Sequence, residues 1–234
     1  MHAGRDSGTG RPLLSAVVQM RGSIPLYWSQ DPSPLNVKPM IQLQNFDPLC
    51  ESTALHFDDL SDRYGNPAVV LNLVKSHERQ PHESVLGDEF KRTVKLLNDK
   101  LRPPEKAIVY QSFDFTYVFK RKGFEYVVPE LRPILDDCYR QTGLFVFNPY
   151  GRTTTQTADD PDGVHVRLQR GLLRTNCIDC LDRTNAVQCI YGLLVLGSQL
   201  QELDLSDTDE VDLDSSMAME IMAMCACPSL PTFN

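Results

Sequence analysis

Short runs of almost wholly apolar, largely β-branched residues recur along the chain, at Ala16–Met20, Ala68–Val74, Ala107–Tyr110 and Leu144–Phe147, separated by longer amphipathic stretches. Such a run is too short for a typical helix and too apolar for a strand with one wet face. It reads as a strand buried on both sides. Val164–Leu173 reads as a fifth strand. Between them, Asp47–Tyr64 has helical spacing, with Asp47 as N-cap, Pro48 at the first helical position and Gly65 as the stop. Ser84–Leu101 is a second helix, ended by Pro103-Pro104, and Val128–Gln141 a third, ended by Gly143, with Pro133 as a point for a kink. A fourth runs from Asp182 to Leu203 and turns Ala186, Val187, Ile190, Leu193, Leu194 and Gly197 to the core. Strands alternating with helices predict an α/β fold, with a mixed, mostly parallel sheet flanked by helices.

Length and composition agree. At 234 residues, 41% of them hydrophobic and 23% charged, the chain can bury a core without leaning on disulfides. Residues 1–14 read as a flexible lead, without the apolar stretch of a secretory signal, and 204–216 as an acidic linker. The longest apolar run, Ala186–Gly197, falls short of the roughly 20 residues that span a bilayer. The seven cysteines, Cys50, Cys138, Cys177, Cys180, Cys189, Cys225 and Cys227, are therefore expected as thiols in a reducing compartment. A net charge of −8 argues against nucleic acid as a partner. An anionic ligand needs a local basic site, and Arg167, Arg170 and Arg174, in a stretch without acids, offer one.

The chemistry concentrates in Arg174-Thr-Asn-Cys-Ile-Asp-Cys-Leu-Asp-Arg-Thr-Asn185, between the last strand and the last helix. Cys177 and Arg183 stand in the pattern Cys-x5-Arg, followed by Thr184. A loop of that length at a helix N-terminus can curl so that successive backbone N–H groups point at one phosphate. The planar guanidinium of Arg183 closes the ring by pairing two phosphate oxygens. The same positive surroundings favour the thiolate of Cys177, which attacks phosphorus in line. The leaving alkoxide needs a proton, which Asp179 or Asp182 can deliver. Asp179 is preferred because Asp182 suits the N-cap of the following helix. Thr184 is placed to hydrogen-bond the sulfur.

Other readings of these residues stay open at this point. The loop could be a polar connection holding an ordinary buried cysteine. Cys177 and Cys180 form Cys-x-x-Cys, which suits thiol–disulfide exchange at a helix start. A zinc site would need more ligands, and Cys225 and Cys227 have a poor spacing for it. His56 reads as a helix residue with a local hydrogen bond, Tyr27 and Trp28 as packing aromatics. Lys120, Arg121 and Lys122 read as a solvated basic turn that could touch acidic lipid.

The stretch RTNCIDCLDRTN resembles, unbroken, the signature of Sac-domain phosphoinositide phosphatases. VVQMRGSIPLYWSQD, ALHFDDLSDRYGNPAVVLNLVK, Phe113-Asp114-Phe115 and LQRGLLRTN extend the resemblance over about residues 15–203. It implies Cys177 as nucleophile, Arg183 as phosphate clamp and Asp179 as acid. The backbone of Ile178, Cys180, Leu181, Asp182 and Thr184 becomes the phosphate cradle. The RGSIPLYWSQD and LHFD wording is most similar to the branch acting on the 5-phosphate of phosphatidylinositol 3,5-bisphosphate, with its plant relatives. That branch implies a peripheral protein of the cytoplasmic face of endosomal or vacuolar membranes, often in a complex with a phosphoinositide kinase. No cofactor or metal is implied. Against the family pattern the chain is expected to be truncated: 15–203 the catalytic part, an N-terminal Sac subdomain missing, and 204–234 an acidic linker and a cut helix. The rival expectation is a phosphoinositide-binding scaffold that does not turn over.

Overall fold

The computed structural model describes residues 2–5, 12–30, 39–44, 47–123, 126–149, 165–179, 182–209 and 211. In chain order the elements are β1 (His2–Arg5), β2 (Pro12–Ala16), β3 (Gln19–Gly22), β4 (Trp28–Gln30), β5 (Ile41–Leu43), α1 (Glu51–Tyr64), β6 (Ala68–Asn72) and α2 (Glu83–Leu96). A π-helical turn, Leu97–Leu101, continues α2, and β7 (Ile108–Ser112), α3 (Phe115–Lys122), α4 (Val127–Thr142), β8 (Phe145–Asn148), β9 (His165–Arg167), β10 (Leu172–Asn176) and α5 (Asp182–Glu202) follow.

Four strands form a wholly parallel sheet in the order β3-β10-β6-β7. Every residue of β6 and β10 is buried, as their apolar runs require. Because side chains alternate across a strand, Val69, Leu71 and Leu173 enter one core with Leu131, Leu135, Val187 and Ile190 of α4 and α5. Ala68, Val70 and Leu172 enter another with Phe57 and Leu60 of α1 and Leu86 and Phe90 of α2. Helices thus cover both faces, and each buried Val, Leu or Phe contributes about 1.5–3 kcal/mol.

The α/β fold with a parallel sheet flanked by helices is as expected, and the antiparallel pairings are gathered in sheets of their own. β1-β2-β8-β9 is antiparallel throughout, and β4 pairs β5 as a small antiparallel unit. Two strands of the antiparallel sheet, β1 and β2, use residues from the stretch expected as a lead. The chain passes between the two larger sheets three times: between β7 and β8, and at two crossings joined to each other, Val17-Val18 and the segment between β9 and β10. Gln169 bridges these two: its Oε1 accepts from the Val18 N–H and its Nε2 donates to the Val18 carbonyl, both at 2.8 Å. The expected strands Ala16–Met20 and Val164–Leu173 therefore each join the end of one strand to the start of another. Apolar continuity hides a change of sheet.

Helix starts also differ. The Asp47-Pro48 pair forms a turn, and α1 begins at Glu51 after Cys50 in a left-handed conformation (φ 52°). Asp47 still receives the Glu51 N–H at 3.0 Å, capping from three residues before the N-cap position that it was expected to hold. Helix α3 is an addition; eight residues are too few to show a helical period, but Asp114 caps it by accepting the Tyr117 N–H at 2.9 Å. Pro133 lies within α4, and Gly65 and Gly143 end their helices as expected. On α5, Leu194 is half-buried, whereas Thr184, Tyr191 and Val195 join the buried face. Among the described residues no helix is long and apolar enough to cross a membrane.

Candidate functional site

Parallel strands deliver all their C-terminal ends to one edge, where loops diverge and ligands collect. The register aligns Gly22, Asn176, Asn72 and Ser112 across that edge. Hydrogen bonds continue one step further: the Leu73 N–H donates to the Asn176 carbonyl at 2.8 Å, and Asn176 Nδ2 to Asn72 Oδ1 at 2.6 Å. The residues that follow are held on a rigid base.

Cys177 comes directly after β10 and is buried; its thiol donates to Asp179 Oδ1 at 3.1 Å. Asp179 is exposed, and Ile178 is half-buried against the α1/α2 core. Asp182 opens α5, where its charge complements the helix N-terminus, and Thr184 is fully buried one turn in. Cys180 and Leu181, named with them for the cradle, lie outside the described residues, as do Cys225 and Cys227. Cys50, Cys138, Cys177 and Cys189 are in no disulfide. Among the described residues no cluster of His, Cys, Asp and Glu could hold a metal ion.

Arg183 Nη1 donates to the Leu73 carbonyl at 3.0 Å and to Glu83 Oε2 at 2.6 Å. Glu83, the first residue of α2, is 5% exposed and takes Lys75 Nζ on its other oxygen at 2.5 Å. Burial opposes the charge of Glu83, yet hydrogen bonds from Lys75 and Arg183 outweigh it and hold the carboxyl below its ordinary range. Burial likewise opposes the charge of Arg183, and the bond and charge of Glu83 reverse the effect, so its pKa is raised. The clamp stays charged and in one place. Glu83 is not legible in the sequence, where it is one more acid near a helix start and 100 positions from Arg183.

Asp114 fixes the neighbouring loop. Its Oδ2 accepts the N–H groups of Ser76 at 2.8 Å and His77 at 2.9 Å, while Oδ1 caps α3. Burial would raise the pKa of this carboxyl, and the backbone donors more than cancel that. The His77 ring stacks on Tyr117 with centroids 4.2 Å apart. These elements enclose a cavity of about 1160 Å³ that Ile178, Asp179, Arg183, Lys75 and Glu83 line from one side.

The basic stretch before the loop does not converge on this cavity. Arg174 is buried, donating from Nε to His56 Nε2 at 2.8 Å and from Nη2 to the Ser23 carbonyl at 2.7 Å. Arg167 pairs with Glu202 at 2.6 Å, and Arg170 is exposed. Residues a few positions apart are dispersed because the stretch crosses between two sheets. His56 is correspondingly not a local hydrogen-bonder: burial, then the Arg174 charge, push its pKa down to about 4, making it a neutral acceptor. Trp28 packs on the core and donates to the Ile24 carbonyl at 3.1 Å, whereas Tyr27, expected to pack with it, is exposed.

Known proteins resemble this chain along most of its length. Residues 6–120 match the SacI homology domain. The chain is 37% identical to "Phosphatidylinositol-3-phosphatase SAC1" of Arabidopsis thaliana over 94% of its own length and 29% of the relative's. It is 41% identical to the "Polyphosphoinositide phosphatase" of Schizosaccharomyces pombe over 92% of itself and 24% of that protein. Mouse "Synaptojanin-1" is 32% identical over 85% of the chain and 11% of the relative. The chain spans less than a third of the length of each.

Proposed function

The chain belongs to the SacI homology family of phosphoinositide phosphatases, and on that footing we propose that it hydrolyses a phosphate monoester of an inositol lipid through a phosphate carried on Cys177. The observation that carries the reading is the 3.1 Å contact between the buried Cys177 thiol and the carboxylate of Asp179, a residue that lines the cavity together with Arg183.

That contact closes the proton balance. The thiol proton passes to Asp179 as the sulfur becomes a thiolate. Sulfur then attacks phosphorus, the bond from phosphorus to the inositol oxygen breaks, and Asp179 gives its proton to that oxygen. Arg183, kept cationic by Glu83, balances charge on the phosphoryl oxygens in flight. In the second half Asp179 takes a proton from water, the water oxygen attacks phosphorus, and the phosphorus–sulfur bond breaks to release phosphate and return the proton to Cys177. The backbone of Ile178, Cys180, Leu181, Asp182 and Thr184 cradles the phosphate.

Residues 15–203 form the catalytic part in this reading. The finer substrate we infer is phosphatidylinositol 3,5-bisphosphate, attacked at the 5-phosphate, in keeping with the 41% identity to the fission-yeast polyphosphoinositide phosphatase. A lipid substrate requires the protein to work at a membrane surface, here the endosomal or vacuolar one, with a phosphoinositide kinase complex as partner. The test is phosphate release from a panel of short-chain phosphoinositides by wild type and Cys177→Ser. Release from wild type alone is expected; normal turnover by Cys177→Ser would sink the mechanism. Lipid binding that needs Arg183 without any release would favour a scaffold.

A further inference from the structure

The cavity lined by Asp179 and Arg183 has a second cationic wall that the reaction does not use. Helix α3 presents Lys120 and Arg121 to it, and the loop after β6 presents Arg79. The acids around the same cavity are already committed: Asp179 to the Cys177 thiol, Glu83 to Lys75 and Arg183, Asp114 to the N–H groups of Ser76, His77 and Tyr117, and Glu78 to those of His82 and Ser84. Lys122, next in sequence, pairs with Glu130 at 2.6 Å. Among the described residues no carboxylate pairs with Arg79, Lys120 or Arg121. On a chain of net charge −8 these cations concentrate at one cavity.

The wall is held in place. Arg121 lies over the Tyr117 ring at 5.8 Å, Tyr117 stacks on His77, and Asp114 ties both to the ends of β6 and β7. Arg121, the cation fixed in this way, takes an anion at little ordering cost. A volume of about 1160 Å³ exceeds what the reacting phosphate needs and accommodates a whole inositol head group.

We propose that Lys120 and Arg121 form a subsite for a second phosphate on the inositol ring, so that the enzyme selects bisphosphorylated over monophosphorylated head groups. The inference rests on the phosphatase reading above and adds the source of its specificity. Arg121 offers the paired donors that a phosphate dianion accepts, and Lys120 adds a point charge.

The experiment compares wild type with Lys120→Gln/Arg121→Gln on water-soluble short-chain phosphatidylinositol mono- and bisphosphates. The readout is the ratio of kcat/KM for bisphosphate to that for monophosphate. The variant is expected to lower this ratio roughly tenfold or more, with Arg121→Lys recovering part of it. An unchanged ratio overturns the subsite. A loss seen only on phosphatidylserine-containing vesicles also overturns it, because the cations would then be reading the membrane surface. If wild type releases phosphate from no substrate, the phosphatase reading fails separately, and calorimetric binding of the same lipids decides the subsite. Tighter binding of bisphosphate that disappears in the double variant keeps it; equal binding rejects it.

Discussion

Glu83 neutralises two cations with one buried carboxylate, which makes it the residue on which the clamp geometry depends. Glu83→Gln keeps the shape and removes the charge, leaving Arg183 and Lys75 poorly compensated. A loss of stability of about 3 kcal/mol is expected in urea denaturation. Phosphate release should fall on the order of 100-fold, since a small misplacement of a positioning group costs that much. The pH dependence carries its own signature. The folded pKa of Glu83 is depressed, so its contribution is complete above the ordinary value of 4.5 and is lost as pH falls through the folded value. The variant should lack that acid limb. His56 acts in a separate window. Its folded pKa is also depressed, from 6.5 to about 4, so the unfolded chain takes up the proton first. Stability is therefore complete above pH 6.5 and declines as pH falls towards 4, by at most about 3 kcal/mol. His56→Gln, which keeps an acceptor for Arg174, should flatten that decline in denaturation curves taken across the range.

At the scale of elements, β10 is positioned by the turn that feeds it. Gly171 has φ 78°, and a Cβ there would lie 2.0 Å from the Pro67 carbonyl oxygen. Gly171→Ala should destabilise the protein by about 2–4 kcal/mol, measured as a shift in urea midpoint, because the strain combines a left-handed conformation with a backbone clash. Strand β6 was legible in the sequence because its burial is complete, and helix α5 because its buried face repeats over many turns, whereas β10 was hidden in the run that crosses between sheets. Helix α3 was not legible, being too short to show a period, and the bonds by which Asp114 ties it to the loop after β6 come from residues 37 and 38 positions away. The same distinction holds at the site. Cys177, Asp179 and Arg183 fall within one short stretch whose spacing is itself a geometry. Glu83, Lys75 and the α3 cations enter from other loops, and only the parallel register brings them to the same edge.

For the whole molecule the question is whether the two larger sheets behave as one body. Gln169 joins them with two hydrogen bonds to Val18. Gln169→Ala should cost about 1–3 kcal/mol. A single transition shifted as a whole in chemical denaturation would mean that the sheets unfold together; an early step confined to part of the amplitude would mean that the antiparallel sheet separates first. The parallel sheet has a temporal consequence as well. Its central strand, β10, is the last of the four along the chain, inserted between β3 and β6, which come off the ribosome much earlier. Until residues 172–176 emerge, β3 and β6 must wait with their facing edges unpaired, the condition in which nascent chains are most exposed to capture by other strands. Cys177 follows at once, so the arrival of the strand that closes the sheet also delivers the nucleophile, and a growing chain has no working site before its core is complete.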